Sequence, residues 1–170
     1  MLHRLSSRFL HVGQKVPGMK IIVVSKDSNE YKVDNSVDST SFFANKKVVL
    51  VGYPGAFTPT CTGNHLPQYN ALYEQFKNKG VEVVGLAVND FFVMKKFSEE
   101  LKAPFPMICD GSGYFTKAID GGVDFSEKGL GFRTRRFAVV VDNGVITAVN
   151  DEKGGAMTDL SKAETLLKMV

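Results

Sequence analysis

Four consecutive apolar residues, Val48-Val49-Leu50-Val51, run into Pro54-Gly55 and are followed by a long segment of helical period. A strand that is apolar at every position is covered on both faces, so this run, within a strand over residues 47–53, predicts a sheet sandwiched between helices. Residues 81–88 predict a second buried strand. Between the two, Leu66, Tyr69, Leu72, Tyr73 and Phe76 recur at spacings of three and four, which predicts a helix over residues 61–79. Pro67 should bend its first turns, and Gly80 is a fitting stop.

The other elements follow from local signals. Residues 21–24 form a β-branched run ended by Lys26-Asp27-Ser28-Asn29, with residues 31–33 as its hairpin partner. Residues 39–45 predict a short helix that turns Phe42 and Phe43 inward. Residues 91–101 predict an amphipathic helix capped by Asn89 or Asp90. Residues 105–109 predict a strand and 115–119 a short helix. Asn143-Gly144 marks a hairpin between strands 137–142 and 145–149. The last helix, 161–169, carries Ser161 and Glu164 at the spacing of a capping box. Helices alternating with buried strands, then an antiparallel hairpin, imply an α/β fold with a mixed sheet. No Gly-x-Gly-x-x-Gly follows the first strand, and Gly52 to Gly55 lacks the Lys-Ser/Thr of a phosphate loop.

With 170 residues, 44% of them hydrophobic, the chain has material for one core and one domain. We expect that domain over residues 11–170, preceded by an extension over residues 1–10. The extension carries two Arg, two Ser and no acid, as an organelle transit segment does, but a short native extension reads the same way. No apolar run reaches the ~18 residues that span a bilayer. Net charge is +3 and the charges are interspersed, with Lys46-Lys47, Lys95-Lys96 and the span 133–136 the densest basic spots. Neither nucleic acid nor membrane is an expected partner.

Two cysteines, Cys61 and Cys109, cannot build the disulfide framework of a secreted domain. No CxxC is present, and His3, His11 and His65 lack metal-ligand spacing, so neither a metal nor a cofactor is expected. A reducing compartment fits, cytoplasmic or organellar. In such a setting a cysteine is a buried apolar residue or a reactive thiol.

Cys61 ends the segment that joins a buried strand to a helix, which puts it near the first helical turn, where free backbone N–H groups favour an anion. A thiol titrates near ~8.5, and lowering it by about two units takes roughly 2.7 kcal/mol. A helix terminus supplies about 0.3–1 kcal/mol, up to ~2 when partly buried. The remainder asks for a cation, and Arg is always charged and presents a rigid fork of donors. Thr58, three residues earlier, can bring its hydroxyl beside the sulfur or can simply cap the helix. Pro54 ends the strand. His65, four residues after Cys61, is within reach of it on a helix, so a Cys–His hydrolase dyad is conceivable, but the sequence offers no third group to hold the base, and packing or a dimer contact is the simpler role.

Pro54, Thr58 and Cys61 in the order Pro-x-x-x-Thr-x-x-Cys resemble the active-site signature of the peroxiredoxins. The fuller string Pro54-Gly55-Ala56-Phe57-Thr58-Pro59-Thr60-Cys61 is similar to the type II plant and mammalian peroxiredoxin 5 branch. His65-Leu66-Pro67, Val88-Asn89-Asp90, residues 126–131 and residues 133–137 resemble that branch too. The resemblance implies a thioredoxin fold, reduction of hydrogen peroxide and alkyl hydroperoxides, and a homodimer. Cys61 would attack the peroxide, Thr58 orient it, Arg136 stabilise the thiolate and the developing charge, and Pro54 shield the sulfur. Arg133 and Arg135 are expected to face solvent. Tyr53, Phe57 and Phe132 would either rim an apolar entrance or belong to the core.

Plant type II enzymes usually carry a second cysteine at the end of the strand after the active-site helix, where this chain has Val84-Gly85-Leu86-Ala87. The mammalian branch has one near the C-terminus, about where Asp159 stands. Cys109 lies in an apolar stretch and is expected to be buried. A one-cysteine cycle follows, with an external thiol as partner: glutathione or glutaredoxin first, thioredoxin second. The competing reading is a redox sensor or holdase in which Cys61 reports peroxide without turnover.

Overall fold

The computed structural model describes residues 9–170. The expected extension, residues 1–10, lies mostly outside the described residues. Nine strands and five helices are described: β1 (Lys20–Asp27), β2 (Glu30–Asp38), α1 (Ser39–Phe43), β3 (Lys47–Gly52), α2 (Leu66–Asn78), β4 (Val81–Ala87), α3 (Phe91–Leu101), β5 (Met107–Cys109), α4 (Tyr114–Ala118), β6 (Gly122–Phe125), β7 (Gly131–Thr134), β8 (Phe137–Asp142), β9 (Val145–Asp151) and α5 (Ala163–Met169).

Seven strands form one sheet in the order β2-β1-β5-β4-β3-β8-β9. β3, β4 and β5 run parallel, while β1 and β8 flank them antiparallel. The sheet is therefore mixed, and its apolar central strands are covered on both faces. Along β3, Val49 and Val51 face a core shared with Leu66, Tyr69 and Phe76 of α2, Phe97 of α3 and Leu166 of α5. Val48 and Leu50 face a second core with Phe43 of α1 and Phe115 of α4. This is the α/β arrangement expected from the sequence.

Local signals explain most boundaries. Asp90 caps α3 by accepting from Val93 N–H at 3.0 Å. Asn143 and Gly144 both take positive φ, as a two-residue hairpin turn requires. β5 begins two residues later than expected because Pro106 has no N–H to give to a ladder. Gly52 pairs with Phe137, whose ring would lie 2.4 Å from any Cβ placed there. The ribbon of β6 and β7 was not expected from the sequence. At the C-terminus α5 starts after Lys162, and no side chain caps it. Ser161 is not the expected cap, because its hydroxyl and N–H both donate to the Glu152 carboxylate instead.

Candidate active site

The parallel strands end together, and the chain leaving β3 forms the site. Residues 53–58 carry it into a helix whose ladder begins with Thr62 N–H donating to Thr58 O at 3.0 Å. Pro59 thus occupies the first helical position, where its missing N–H costs nothing. Cys61 sits in the first turn, ahead of the ladder, among donors without helical partners. From Cys61 to His65 the helix widens into a π turn, with Leu66 N–H donating to Cys61 O. Pro67 accounts for it: a regular α-helix would place its ring against the Gly63 carbonyl and ask it for an N–H it lacks.

The Cys61 side chain is fully buried. Arg136, at the entrance to β8 and 2% exposed, reaches it from the neighbouring strand, and Nη2 donates to Sγ at 3.3 Å. The other guanidinium donors are fixed as well. Nε donates to Gly155 O at 3.0 Å, and Nη1 meets His65 Nδ1 at 2.8 Å. An arginine has only protons to offer, so Nδ1 must accept. The ring proton then sits on Nε2 and points at Ser161 O, 3.1 Å away. His65 is a neutral imidazole: burial, then the Arg136 charge, lowers it to about 3. Its Nδ1 is committed to Arg136, so the Cys–His hydrolase dyad has no base.

Thr58 is half-buried at the turn, and its hydroxyl donates to Gly55 O at 2.8 Å rather than to the helix. Pro54 is buried beside the segment that carries Gly155. The structure thus brings Cys61, Arg136 and His65 into contact, with Thr58 and Pro54 on the turn leading to them. Cys109 is buried on β5, 3.6 Å from Met107 O, and burial pushes its thiol up to about 12.

Two expectations need correction. Arg135 is buried, not solvated. It forms an ion pair with Asp151 at 2.7 Å and donates to Gly122 O, which ties β6 to β9. Arg133 is half-buried: it donates to Leu130 O at 2.8 Å and to Val88 O at 3.4 Å, and Nη1 would lie 3.0 Å from a Cβ on Gly55. It holds β7 against the turn, so its neighbour there is a glycine. Of the two roles open to Tyr53, the structure shows the core one. It is fully buried, and its hydroxyl donates to Met107 Sδ at 3.2 Å.

The Redoxin family model matches residues 11–167. Peroxiredoxin-2C of Oryza sativa subsp. japonica is 48% identical over 128 residues, covering 74% of this chain and 78% of that one. The chain belongs to the peroxiredoxins, in the type II branch. Peroxiredoxin-2E, chloroplastic, of Arabidopsis thaliana is 36% identical over 164 residues, covering 94% of this chain and 68% of that one. Among solved structures, reduced Prx3 from Vibrio vulnificus matches with a TM-score of 0.81 at 38% identity, covering 95% of this chain and 98% of that one. Peroxiredoxins are thiol peroxidases, and the thioredoxin fold expected of this chain is the one it has.

Sequence reasoning singled out Cys61 and Arg136, which the structure brings within 3.3 Å, but not two groups that share hydrogen bonds with Arg136. His65 was read as packing or a dimer contact, and Glu152 drew no notice. The signal for His65 was its place on the Cys61 helix, but its partner lies 71 residues away.

Proposed function

We propose that this peroxiredoxin reduces hydrogen peroxide and alkyl hydroperoxides at Cys61 and is recycled by an external thiol in a one-cysteine cycle. The observation that carries this reading is the Arg136 fork, with one arm on His65 and the other 3.3 Å from Cys61 Sγ. A guanidinium held on three sides stabilises a thiolate and, during reaction, the charge that develops on the transferred oxygen. The thiolate attacks the terminal peroxide oxygen. The S–O bond forms as the O–O bond breaks, and the departing alkoxide or hydroxide takes a proton to leave as alcohol or water. The two electrons come from sulfur, which becomes a sulfenic acid. Thr58 orients the peroxide through its hydroxyl, the Cys61 N–H adds a donor, and Pro54 screens the sulfur from bulk water.

One external thiol then condenses with the sulfenic acid, releasing water and leaving a mixed disulfide. A second thiol displaces Cys61 as thiolate and leaves as the oxidised disulfide. Glutathione with or without glutaredoxin is the favoured donor, thioredoxin the second. Cys109 takes no part: a thiol pushed up to about 12 supplies almost no thiolate at neutral pH. Two copies pair as a homodimer, as the family resemblance implies. An organellar location is proposed from the Arg- and Ser-bearing residues 1–10 together with the relative named chloroplastic.

The test is NADPH consumption with hydrogen peroxide or tert-butyl hydroperoxide, coupled to glutathione, glutaredoxin and glutathione reductase, with a thioredoxin arm beside it. Wild type and Cys109→Ser should turn over and Cys61→Ser should be silent. An inactive Cys109→Ser would make Cys109 the resolving thiol and end the one-cysteine cycle.

A further inference from the structure

Between β9 and α5 the chain runs as a strap of irregular structure, residues 152–162, with Gly154 and Gly155 in it. Glycines and missing ladder bonds make such a segment costly to hold in one conformation. Yet the strap supplies most of what fixes the Cys61 environment. Arg136 N–H donates to Gly154 O at 2.7 Å, and Arg136 Nε donates to Gly155 O at 3.0 Å. Ser161 O accepts from His65 Nε2 at 3.1 Å and from the Tyr69 hydroxyl at 2.7 Å.

One side chain closes the strap on itself. Glu152 Oε1 accepts from Thr158 N–H at 3.0 Å, Ser161 N–H at 3.1 Å and Ser161 Oγ at 2.8 Å. Glu152 Oε2 accepts from Thr158 Oγ1 at 2.7 Å, and its own N–H donates to Arg136 O at 3.0 Å. Burial works against the charged carboxylate, and these hydrogen bonds outweigh it, holding Glu152 below the usual glutamate range.

We propose that Glu152 is a positioning residue for the peroxidatic cysteine, acting through Ser161, His65 and Arg136. The proposal rests on the reading of Cys61 and Arg136 given above. The carboxylate gathers Thr158 and Ser161, which aims the Ser161 carbonyl at His65. That carbonyl selects the tautomer with its proton on Nε2, which leaves Nδ1 free to accept from Arg136. With Nη1 and Nε thus occupied, Nη2 is directed at sulfur. If Ser161 O moved away, the imidazole could carry its proton on Nδ1 and would then repel the guanidinium. The titratable and charged groups facing Cys61 among the described residues are Arg136, with His65 behind it, and Tyr53 at the end of β3.

The test uses the full chain in a Cys109→Ser background, so that Cys61 is the only thiol. The pH dependence of iodoacetamide alkylation is measured with the rate of oxidation by hydrogen peroxide. Glu152→Ala should move the alkylation midpoint up by about one pH unit and slow oxidation roughly tenfold, the same free energy in two readouts. Glu152→Gln keeps Oε1 as acceptor, turns its amide donor toward Thr158 Oγ1, and should restore most of both. Thr158→Val, which removes only one of the four bonds to the Glu152 carboxylate along with the one from Leu160 N–H, should move both in the same direction by less, and it stands in if Glu152→Ala does not fold. A lower melting temperature with an unmoved alkylation profile in these variants would overturn the proposal. Arg136→Ala separates the two readings. If it leaves the profile unmoved, the role of Arg136 itself is wrong; if it moves the profile and the strap variants do not, only the role of Glu152 falls.

Discussion

At the scale of single residues, the site depends on groups that have no freedom to be anything else. Arg136 serves three acceptors in three directions, which a lysine's single ammonium on a flexible stem does not match. His65 is held neutral, and that has a consequence for stability. Its folded value is about 3 against about 6.5 in an unfolded chain, so between those values the unfolded state binds the extra proton. Stability is therefore full above about pH 6.5 and falls with acidification, by up to about 1.4 kcal/mol per pH unit. Carboxylates such as Asp34 and Asp124, held below their usual range by serine donors, lose their contribution only at lower pH. The interval from pH 6.5 to 5 therefore isolates the histidine. Urea unfolding across it should give a clear slope in wild type and a flatter one in His65→Gln. Equal slopes would mean that the imidazole takes up its proton in the folded protein.

At the scale of elements, the π turn decides where Cys61 points. Its cause is local, since Pro67 cannot serve the Gly63 carbonyl and the helix adds a residue to the turn before it. Pro67→Ala should let residues 61–65 tighten into α-helix, rotating Cys61 away from Arg136. Stopped-flow oxidation should slow by roughly tenfold, about 1.4 kcal/mol of lost stabilisation, while far-UV helical content holds or rises; an unchanged rate would show that the widened turn is dispensable. The bend at Pro67 was legible in the sequence, as were the buried strands β3 and β4, the helices α2 and α3, and the Asn143-Gly144 hairpin. Each of these rests on near neighbours in the chain. The ribbon of β6 and β7 was not legible, because four-residue strands separated by a 3-10 turn carry too short a pattern to register. Ser161 was misread because the capping-box spacing is local, whereas its actual acceptor, Glu152, belongs to the preceding loop. Arg135 was misread for the same reason, its burial being set by Asp151 on β9.

At the scale of the whole molecule, the sheet divides the interior into two cores, and the chemistry draws on one of them. Cys61 and Tyr69 pack with Leu166 of α5 on one face, and the strap enters α5 directly after Ser161. On the other face, Phe43 stacks on Phe115 at 6.3 Å between centroids, with no member of the site in that core. Phe43 and Leu166 are each fully buried, so truncating either one costs stability of the order of 2–5 kcal/mol. Their effects on activity should differ. Leu166→Ala leaves a cavity under α5, loosens the anchor of the strap, and should slow Cys61 oxidation in the folded protein several-fold. Phe43→Ala should unfold at a correspondingly lower urea concentration yet, where it is folded, oxidise at the wild-type rate. Oxidation kinetics at 15 °C, after urea titration has established that each variant is native there, compare the two faces directly. Equal slowing in both would mean that β3 transmits strain from one core to the other, and that the site is supported by the sheet as a whole rather than by the α2 and α5 face.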